Sequence, residues 1–507
     1  MDVNEAVAGN DRILAVLHAL ATSAKPTGVR ELAAALGASR STVSRVLLGL
    51  MEHGLASATP QGNYEAGPRF RVLAAALHER HPLLRSAGRI VGELSETSDA
   101  TALAALHDAP RPQVVVLVSR RHPGPVQYLL EPGTIVPLHA GATGRAILGR
   151  IGLEALGEEP LESRTPDTVT DRQEIEKLLA QDRSAGYTIS VGQQFALAAG
   201  AAASFRCLGL TGSVSITRPR YLTSDEDLPR FGLMARQAAG EIEAVCGKTA
   251  APPDGHPITY PAGATALERI IRLITALIFQ PAGIVTGRPL VGQIGANIAT
   301  ANRLVSSATT AGVAVAQEDT LVPGPRLLHW AACLGAALDI PSAARGILQD
   351  LAERTGETIG LTQFHAGERE AEMTSVIQGM NPLHYGLAAG VPIPLHAGAA
   401  GKAILAHCPP ERINDLVLRR FTERTPTDRA ALLADLEGVR ARGWATGEGE
   451  RIPDAYGVSA PYFIADTVAG SITATVARIR LPDLDVQALA DDVRQAAQRL
   501  TRLLTLT

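Results

Sequence analysis

Hydrophobic positions near the start of the chain recur at helical intervals. Ile13, Val16, Leu17 and Leu20 share one face. After a break at Lys25-Pro26-Thr27-Gly28, a short helix is predicted from Val29 to Leu36, with Leu32 and Leu36 together. Gly37-Ala38 supplies a tight turn. Ser39 can cap a third helix whose inward stripe is Val43, Val46, Leu47 and Leu50 and which ends at Gly54. Leu55–Thr59 and Asn63–Ala66, around Pro60-Gln61-Gly62, fit a short β-hairpin. Helix, short helix, turn, third helix and hairpin is the order of a winged helix-turn-helix. Later segments read differently. Val114–Val118, Gly209–Ile216 and Gly470–Val476 are strand-like, whereas Leu83–Leu94, Ile175–Ala185, Leu432–Arg442 and Val486–Leu504 are helical. Regular strand–helix alternation is absent, so these regions are expected to be α/β (α+β) with an antiparallel sheet flanked by helices.

The pattern also repeats. PLHAGATGRAIL (137–148) returns as PLHAGAAGKAIL (394–405), identical at ten of twelve positions and displaced by 257 residues. The same displacement aligns Gly67-Pro68-Arg69 with Gly324-Pro325-Arg326 and Gly186-Tyr187 with Gly443-Trp444. A displacement of 258 aligns Arg45 with Arg303, and a small register shift brings Arg164-Thr165-Pro166 onto Arg424-Thr425-Pro426. Anchors in one order imply two copies of a unit made of a small head and a larger body. The expected division is a head at 1–81, a body at 82–248, a Pro-rich linker at 249–263, a second head at 264–338 and a second body at 339–507.

Composition narrows the chemistry. Of 507 residues, 46% are hydrophobic and 19% charged, enough apolar content for packed cores. With 47 Lys and Arg against 51 Asp and Glu, the chain is not a uniformly basic coating protein. Four dispersed cysteines, with no CxxC, argue against a disulfide scaffold or a metal site. No signal peptide precedes the first helix, and Ile270–Phe279 is too short to span a bilayer. A reduced, cytoplasmic protein without cofactor or membrane partner is expected.

Local charge departs from this average. Residues 12–80 hold eight Lys or Arg and four Asp or Glu. The third helix opens with Ser39, Arg40, Ser41, Thr42, Ser44 and Arg45, residue types suited to phosphates and base edges of double-stranded DNA. The alternative is a small protein-binding module with a solvated polar face. The second head keeps Leu267, Ile270, Ile271 and Ile274 as an apolar face, but Ile298 stands where Arg40 does and only Arg303 remains basic in its third helix. Gln317, Glu318 and Asp319 make its hairpin tip acidic or bare. It reads as a degenerate head kept for packing or dimerisation, with weak DNA contact of different preference as the competing view.

In the bodies, Pro-Leu-His leads through small residues into a helix. Such an entry exposes backbone N–H groups and can hold a carboxylate, although tight packing alone also explains it. An enzyme using His139 or His396 as general base is the runner-up. No G-x-S-x-G, HExxH or P-loop supports it, and structural, hydrogen-bonded histidines fit better. A third possibility is a DNA-free sensor or scaffold.

ELAAALGASRSTVSRVLLGLMEHGL, GNYEAGPRF, the two HAG segments, RTPDTVTD, RTPTDRAAL, AGYTIS and RGWATGEGE together resemble the IclR family of bacterial transcriptional regulators, duplicated in tandem. The resemblance covers nearly the whole chain. It implies two winged heads, each followed by a GAF-like effector domain, and a ligand-responsive regulator, not an enzyme, that binds DNA and a small organic acid or related metabolite as a dimer or tetramer, with a homodimer expected for this chain. It implies an effector pocket at His139, Ala140, Gly141 and Gly144 with Gln193, Ser213 and Ser215. In the second body the matching set is His396, Ala397, Gly398 and Gly401 with Glu448, Glu450, Thr473 and Thr475. The family's cysteine near Gly200 and Gly457 is missing from both bodies. On this basis the first pocket is neutral and suits a carboxylate, and the second, acidic, suits a hydroxyl, amine or protonatable group.

Overall fold

The computed structural model describes residues 9–109, 111–122, 130–247, 259–261, 263–335, 340–365, 369–409, 412–413, 416–464 and 467–505. Most of the predicted linker, 249–263, lies outside them. Contacts divide the chain into two compact units, Met1–Leu338 and Asp339–Thr507.

The first unit begins with the expected helices α1 (Gly9–Thr22), α2 (Val29–Ala35) and α3 (Arg40–Glu52). Ser39 caps α3 by accepting the Thr42 amide, while Val43, Leu47 and Leu50 are buried. Strands β1 (Ala56–Ala58) and β2 (Tyr64–Ala66) form the hairpin, and α4 (Pro68–Arg80) follows. Gly67 closes the hairpin onto the end of α3. Its amide donates to Leu55 and the Arg69 amide to Gly54, and a Cβ at Gly67 would lie 2.4 Å from the Gly54 oxygen.

A body follows. Helix α5 (Pro82–Ser98) leads to β3 (Thr101–His107), β4 (Gln113–Arg120), β5 (Ile135–Pro137) and α6 (Gly141–Ile151). Then come α7 (Arg172–Ala185), β6 (Thr188–Val191), β7 (Ala198–Cys207), β8 (Leu210–Pro219) and α8 (Asp227–Gly247). The strands form an antiparallel sheet in the order β5-β4-β3-β8-β7-β6. Helices α5 and α8 pack on the sheet, as does α6, which carries α7. The core lies between the sheet and α6–α7, around Leu103, Val116, Ile147, Leu148, Ile175 and Leu179.

One expectation fails here. Cys207, at the end of β7, is disulfide-bonded to Cys246, in the last turn of α8, with 5.3 Å between Cα atoms. Thirty-nine residues separate them in sequence, and only the packing of α8 on β7 brings them together. Their spacing therefore carried no signal. Cys333 and Cys408 are free thiols.

The second head repeats the first: α9 (Ala266–Phe279), β9 (Ile284–Val285), α10 (Arg288–Ile294), α11 (Ile298–Thr310), β10 (Ala314–Gln317), β11 (Thr320–Pro323) and α12 (Pro325–Leu334). Gly324 repeats the role of Gly67, its amide donating to Val313 and that of Arg326 to Gly312. This explains the shared Gly-Pro-Arg.

The two heads share one core. Helix α1 packs on α12 and α4 on α9, while α1 meets α9 and α4 meets α12. This reciprocity is the contact pattern of a twofold interface, here within one chain. Trp330, 1% exposed, lies at its centre: Nε1 donates to His18 Nδ1 at 3.0 Å and the ring meets Phe70 edge-on. His78 bonds the Ala331 carbonyl, and Arg80 stacks over Phe279.

The second unit repeats the body. It comprises α13 (Ile340–Thr355), β12 (Thr358–Gln363), β13 (Glu370–Ile377), β14 (Val391–Pro394), α14 (Ala399–Leu405), α15 (Arg429–Arg442), β15 (Ala445–Glu448), β16 (Ala455–Ile464), β17 (Thr467–Ala477) and α16 (Val486–Thr505). Its strand order, β14-β13-β12-β17-β16-β15, is that of the first sheet. Where the first body has its disulfide, this one has Ile464 and Leu504. No described helix is long and apolar enough to cross a membrane. Among the described residues, no group of three or more His, Cys, Asp or Glu is placed to hold a metal ion.

Candidate functional site

Helix α3 presents Ser39, Arg40, Ser41 and Arg45 to solvent, with Thr42 and Ser44 half-buried. The Ser39 hydroxyl bonds those of Ser41 and Thr42, which orders the helix start. Arg30, in the first turn of α2, is also exposed. This face can offer guanidinium and hydroxyl donors to a phosphate backbone or a base edge.

Each body has a small pocket between the helix entry and the sheet. In the first it encloses about 40 Å³ and is lined by Ala140, Gly141, Thr143, Ser190, Gln194, Gly200 and Thr217, among others. In the second it encloses about 60 Å³ and is lined by Ala397, Gly398, Glu450, Arg451, Thr473 and Thr475, among others. Gly144 and Gly401 do not line them. A Cβ at either would lie 2.3 Å or less from the carbonyl of Pro137 or Pro394, so these glycines let the helix lie against the preceding strand.

His139 and His396 turn away from the pockets. Their Nε2 atoms bond the carbonyls of Glu162 (3.0 Å) and Arg419 (2.8 Å), which anchors the following loop in both bodies. Burial lowers the His139 pKa and keeps that ring neutral. Ser213 bonds the Thr143 carbonyl, as Ser471 bonds that of Ala400, so both clamp the sheet to the helix start. Ser215 accepts from the Thr143 hydroxyl. Glu448 lies outside the pocket, in ion pairs with Arg424 and Arg478 that lower its pKa.

Strand pairing corrects two alignments read from the sequence. Thr101 faces Thr217 in the first sheet and Thr358 faces Thr475 in the second. The displacement is therefore 258 here: Ser215 matches Thr473, and Thr217, missed in the sequence, matches Thr475. The Thr165 hydroxyl bonds the Gly192 carbonyl as that of Thr422 bonds Gly449. Thr168 bonds Gln193 as Thr425 bonds Glu450. Thr165 thus matches Thr422, not Thr425.

The charged groups behind the two pockets differ in kind. In the first body Arg145, 3% exposed, donates to Asp182, to the Gln193 side chain and to the Ile189 carbonyl. In the second, Lys402 donates to Glu450 at 2.6 Å and Asp435 at 2.8 Å. The Gly398 amide donates to the other Glu450 oxygen. Glu450 is thus held by a cation and a backbone amide. Gln193 and Glu450 each face the buried cation of their own helix. The next residue, which sequence reading overlooked, lines the pocket. It is Gln194 in the first body, with a buried Oε1 that has no partner, and Arg451 in the second, a half-buried guanidinium. Burial lowers the Arg451 pKa, a cost that an anion beside it would offset.

Comparison with known proteins agrees with this architecture. The description "Bacterial transcriptional regulator IclR C-terminal" fits residues 75–244 and again 335–502, and "IclR helix-turn-helix domain" fits residues 11–60. HTH-type transcriptional regulator BhcR of Paracoccus denitrificans (strain Pd 1222) is 30% identical over 250 residues, 47% of this chain and 87% of that protein. Transcriptional repressor IclR of Escherichia coli (strain K12) is 30% identical over 103 residues, 20% of this chain and 38% of that protein. Among solved structures, an IclR homologue from Microbacterium hydrocarbonoxydans complexed with 4-hydroxybenzoate is 23% identical, with a TM-score of 0.42 over 48% of this chain and all of that one. The relatives are named regulators, not enzymes. With the C-terminal domain present twice behind an N-terminal helix-turn-helix, the chain belongs to the IclR family of DNA-binding transcriptional regulators and carries that domain in tandem duplication.

Proposed function

We propose that this protein regulates transcription in response to a small carboxylate, with domains at 1–81, 82–248, 264–338 and 339–507 and its place in the cytoplasm. Ser39, Arg40, Ser41, Thr42, Ser44 and Arg45 contact the operator. The second-body pocket takes the carboxylate. The observation that carries this is the charge arrangement there: Lys402 and the Gly398 amide already occupy Glu450, while Arg451, whose Nη1 makes only a long 3.4 Å bond to the Pro392 carbonyl, lines the cavity. This reverses the preference expected from Glu450 alone. In the first body α6 has no side-chain cap, and Gln194 can offer either end of its amide, so that pocket accepts a carboxylate more weakly.

A route from the first pocket to the heads is supported by contacts within the first unit. Leu130 and Val136 line the pocket, and between them the Gly133 carbonyl bonds His329 of α12. His329 meets His18 edge-on, and Trp330 donates to His18. A ligand that binds better to one arrangement of this loop shifts the head pair. The head interface is filled within the chain, so a homodimer would form through the bodies.

Titration calorimetry with small monocarboxylates tests the pocket. Arg451→Gln should remove binding at the second site, and Arg451→Lys should retain part of it. Unchanged carboxylate binding in Arg451→Gln would defeat the reading.

A further inference from the structure

We infer that α11 is a second DNA-reading helix with a base preference different from that of α3, so that one chain recognises an operator of two unlike half-sites. This rests on the regulator reading above. Helices α3 and α11 are each 13 residues long and are capped alike, Asn297 accepting the Thr300 amide as Ser39 accepts that of Thr42. The second head keeps exposed cations at matching places: Arg303 for Arg45, and Arg288 in the first turn of α10 for Arg30. Two conserved cations support the same approach to a phosphate backbone.

What changes is the set of residues between them. Ile298 replaces Arg40 and is 51% exposed, and Asn302, also exposed, replaces Ser44. Neither contributes to the core, whose α11 members are Ala301, Leu304 and Ala308. In a major groove an exposed aliphatic group suits a thymine methyl, and a carboxamide pairs with adenine N6 and N7, whereas arginine prefers guanine. The α11 half-site should therefore favour A·T pairs and the α3 half-site a guanine. At the acidic hairpin tip Gln317 donates to the Leu208 carbonyl of the first body, while Glu318 and Asp319 stay exposed and would disfavour a phosphate beside the wing, which leaves base contact to α11. Reciprocal packing of the heads gives both helices equivalent places: α1 touches α11, and a Cβ on Gly49 of α3 would lie 3.0 Å from Leu267 of α9.

Selection of binding sites from random duplex DNA by the full chain tests the inference. Wild type should yield a bipartite unit of two unlike half-sites, alone or as an inverted repeat of that unit. Arg40→Ala/Arg45→Ala should erase one half, and Ile298→Ala/Asn302→Ala the other, with affinity for the selected site falling roughly tenfold or more. Ile298→Arg/Asn302→Ser, on the exposed face, should shift the second half toward the first. A wild-type site built only of identical half-sites, or a second half unchanged in Ile298→Ala/Asn302→Ala, overturns the inference and leaves the regulator reading intact. No sequence preference in wild type overturns both.

Discussion

The two heads have nearly the same interior and different exteriors. Val43 and Leu50 in α3 have buried counterparts in Ala301 and Ala308 of α11, the buried Leu304 stands where α3 has the half-buried Val46, and the turn before α4 is repeated hydrogen bond for hydrogen bond before α12. On the surface Arg40 has become Ile298, and the hairpin tip Pro60-Gln61-Gly62, which carries no charge, has become one bearing Glu318 and Asp319. The bodies show the opposite. Their strand order is the same, while the buried groups behind the pocket have exchanged Arg145 and Gln193 for Lys402 and Glu450. A pair of charges in contact can change together, because a buried cation tolerates a neutral acceptor or an anion provided its hydrogen bonds are kept. Even the second acid has moved: Asp182 and Asp435 differ by one helical turn once the repeat is aligned. The heads have thus diverged in what they present outward, and the bodies in what they hold inside.

The strongest test removes what the heads have in common. Trp330→Ala should cost about 3–5 kcal/mol by opening a cavity in the shared core, read as a lower melting temperature and faster amide exchange in both α1 and α12. If only one head loosens, the interface is not shared. Next, Cys207→Ser or a reductant should destabilise the first body by about 2–4 kcal/mol and leave the second, with Ile464 and Leu504 at those positions, unchanged in a two-step melt. Within the first head, Arg40→Ala should cost about 1–3 kcal/mol in operator binding. Arg303→Ala should chiefly flatten the dependence of log affinity on log salt, by about one. Fluorescence anisotropy at two salt concentrations separates them.

The smallest effect concerns pH. Burial lowers the His18 pKa to about 3, with Arg326, His329 and Arg111 adding to the shift. Between pH 3 and the unfolded value of 6.5 the unfolded chain binds the proton and the folded one does not, so stability rises with pH there and is complete above 6.5. Protonation would also remove the acceptor that Trp330 uses on His18. Head pairing should weaken as pH falls below 6.5, measured by amide exchange in α12. In His18→Gln the His18 part of that slope should vanish.

Much of the fold was legible because periodicity and turn residues act locally. Ser39, Gly54 and the apolar stripes specify the first head without knowledge of any partner. The repeat exposed the second copy for the same reason. The pockets were legible only in outline. The HAG segment locates the helix entry, yet whether Glu450 is free or occupied depends on Lys402, 48 residues away. The role of Arg451 depends on its neighbour's being occupied. Thr217 escaped because no local pattern singles it out, and only its pairing opposite Thr101, as Thr475 pairs opposite Thr358, identifies it. The disulfide escaped because it joins a strand end to a helix end that meet only when the helix docks.

The intramolecular pairing of heads has a consequence for how this protein changes over time. In a pair assembled from identical copies, each substitution is present in both halves, and a new preference must be matched on both sides of the operator at once. Here α3 and α11 are encoded separately, so each half can drift with its own stretch of DNA while Trp330 and the glycine turns keep the scaffold constant. Such a regulator can part from a related symmetric site one half at a time, retaining partial recognition at every step.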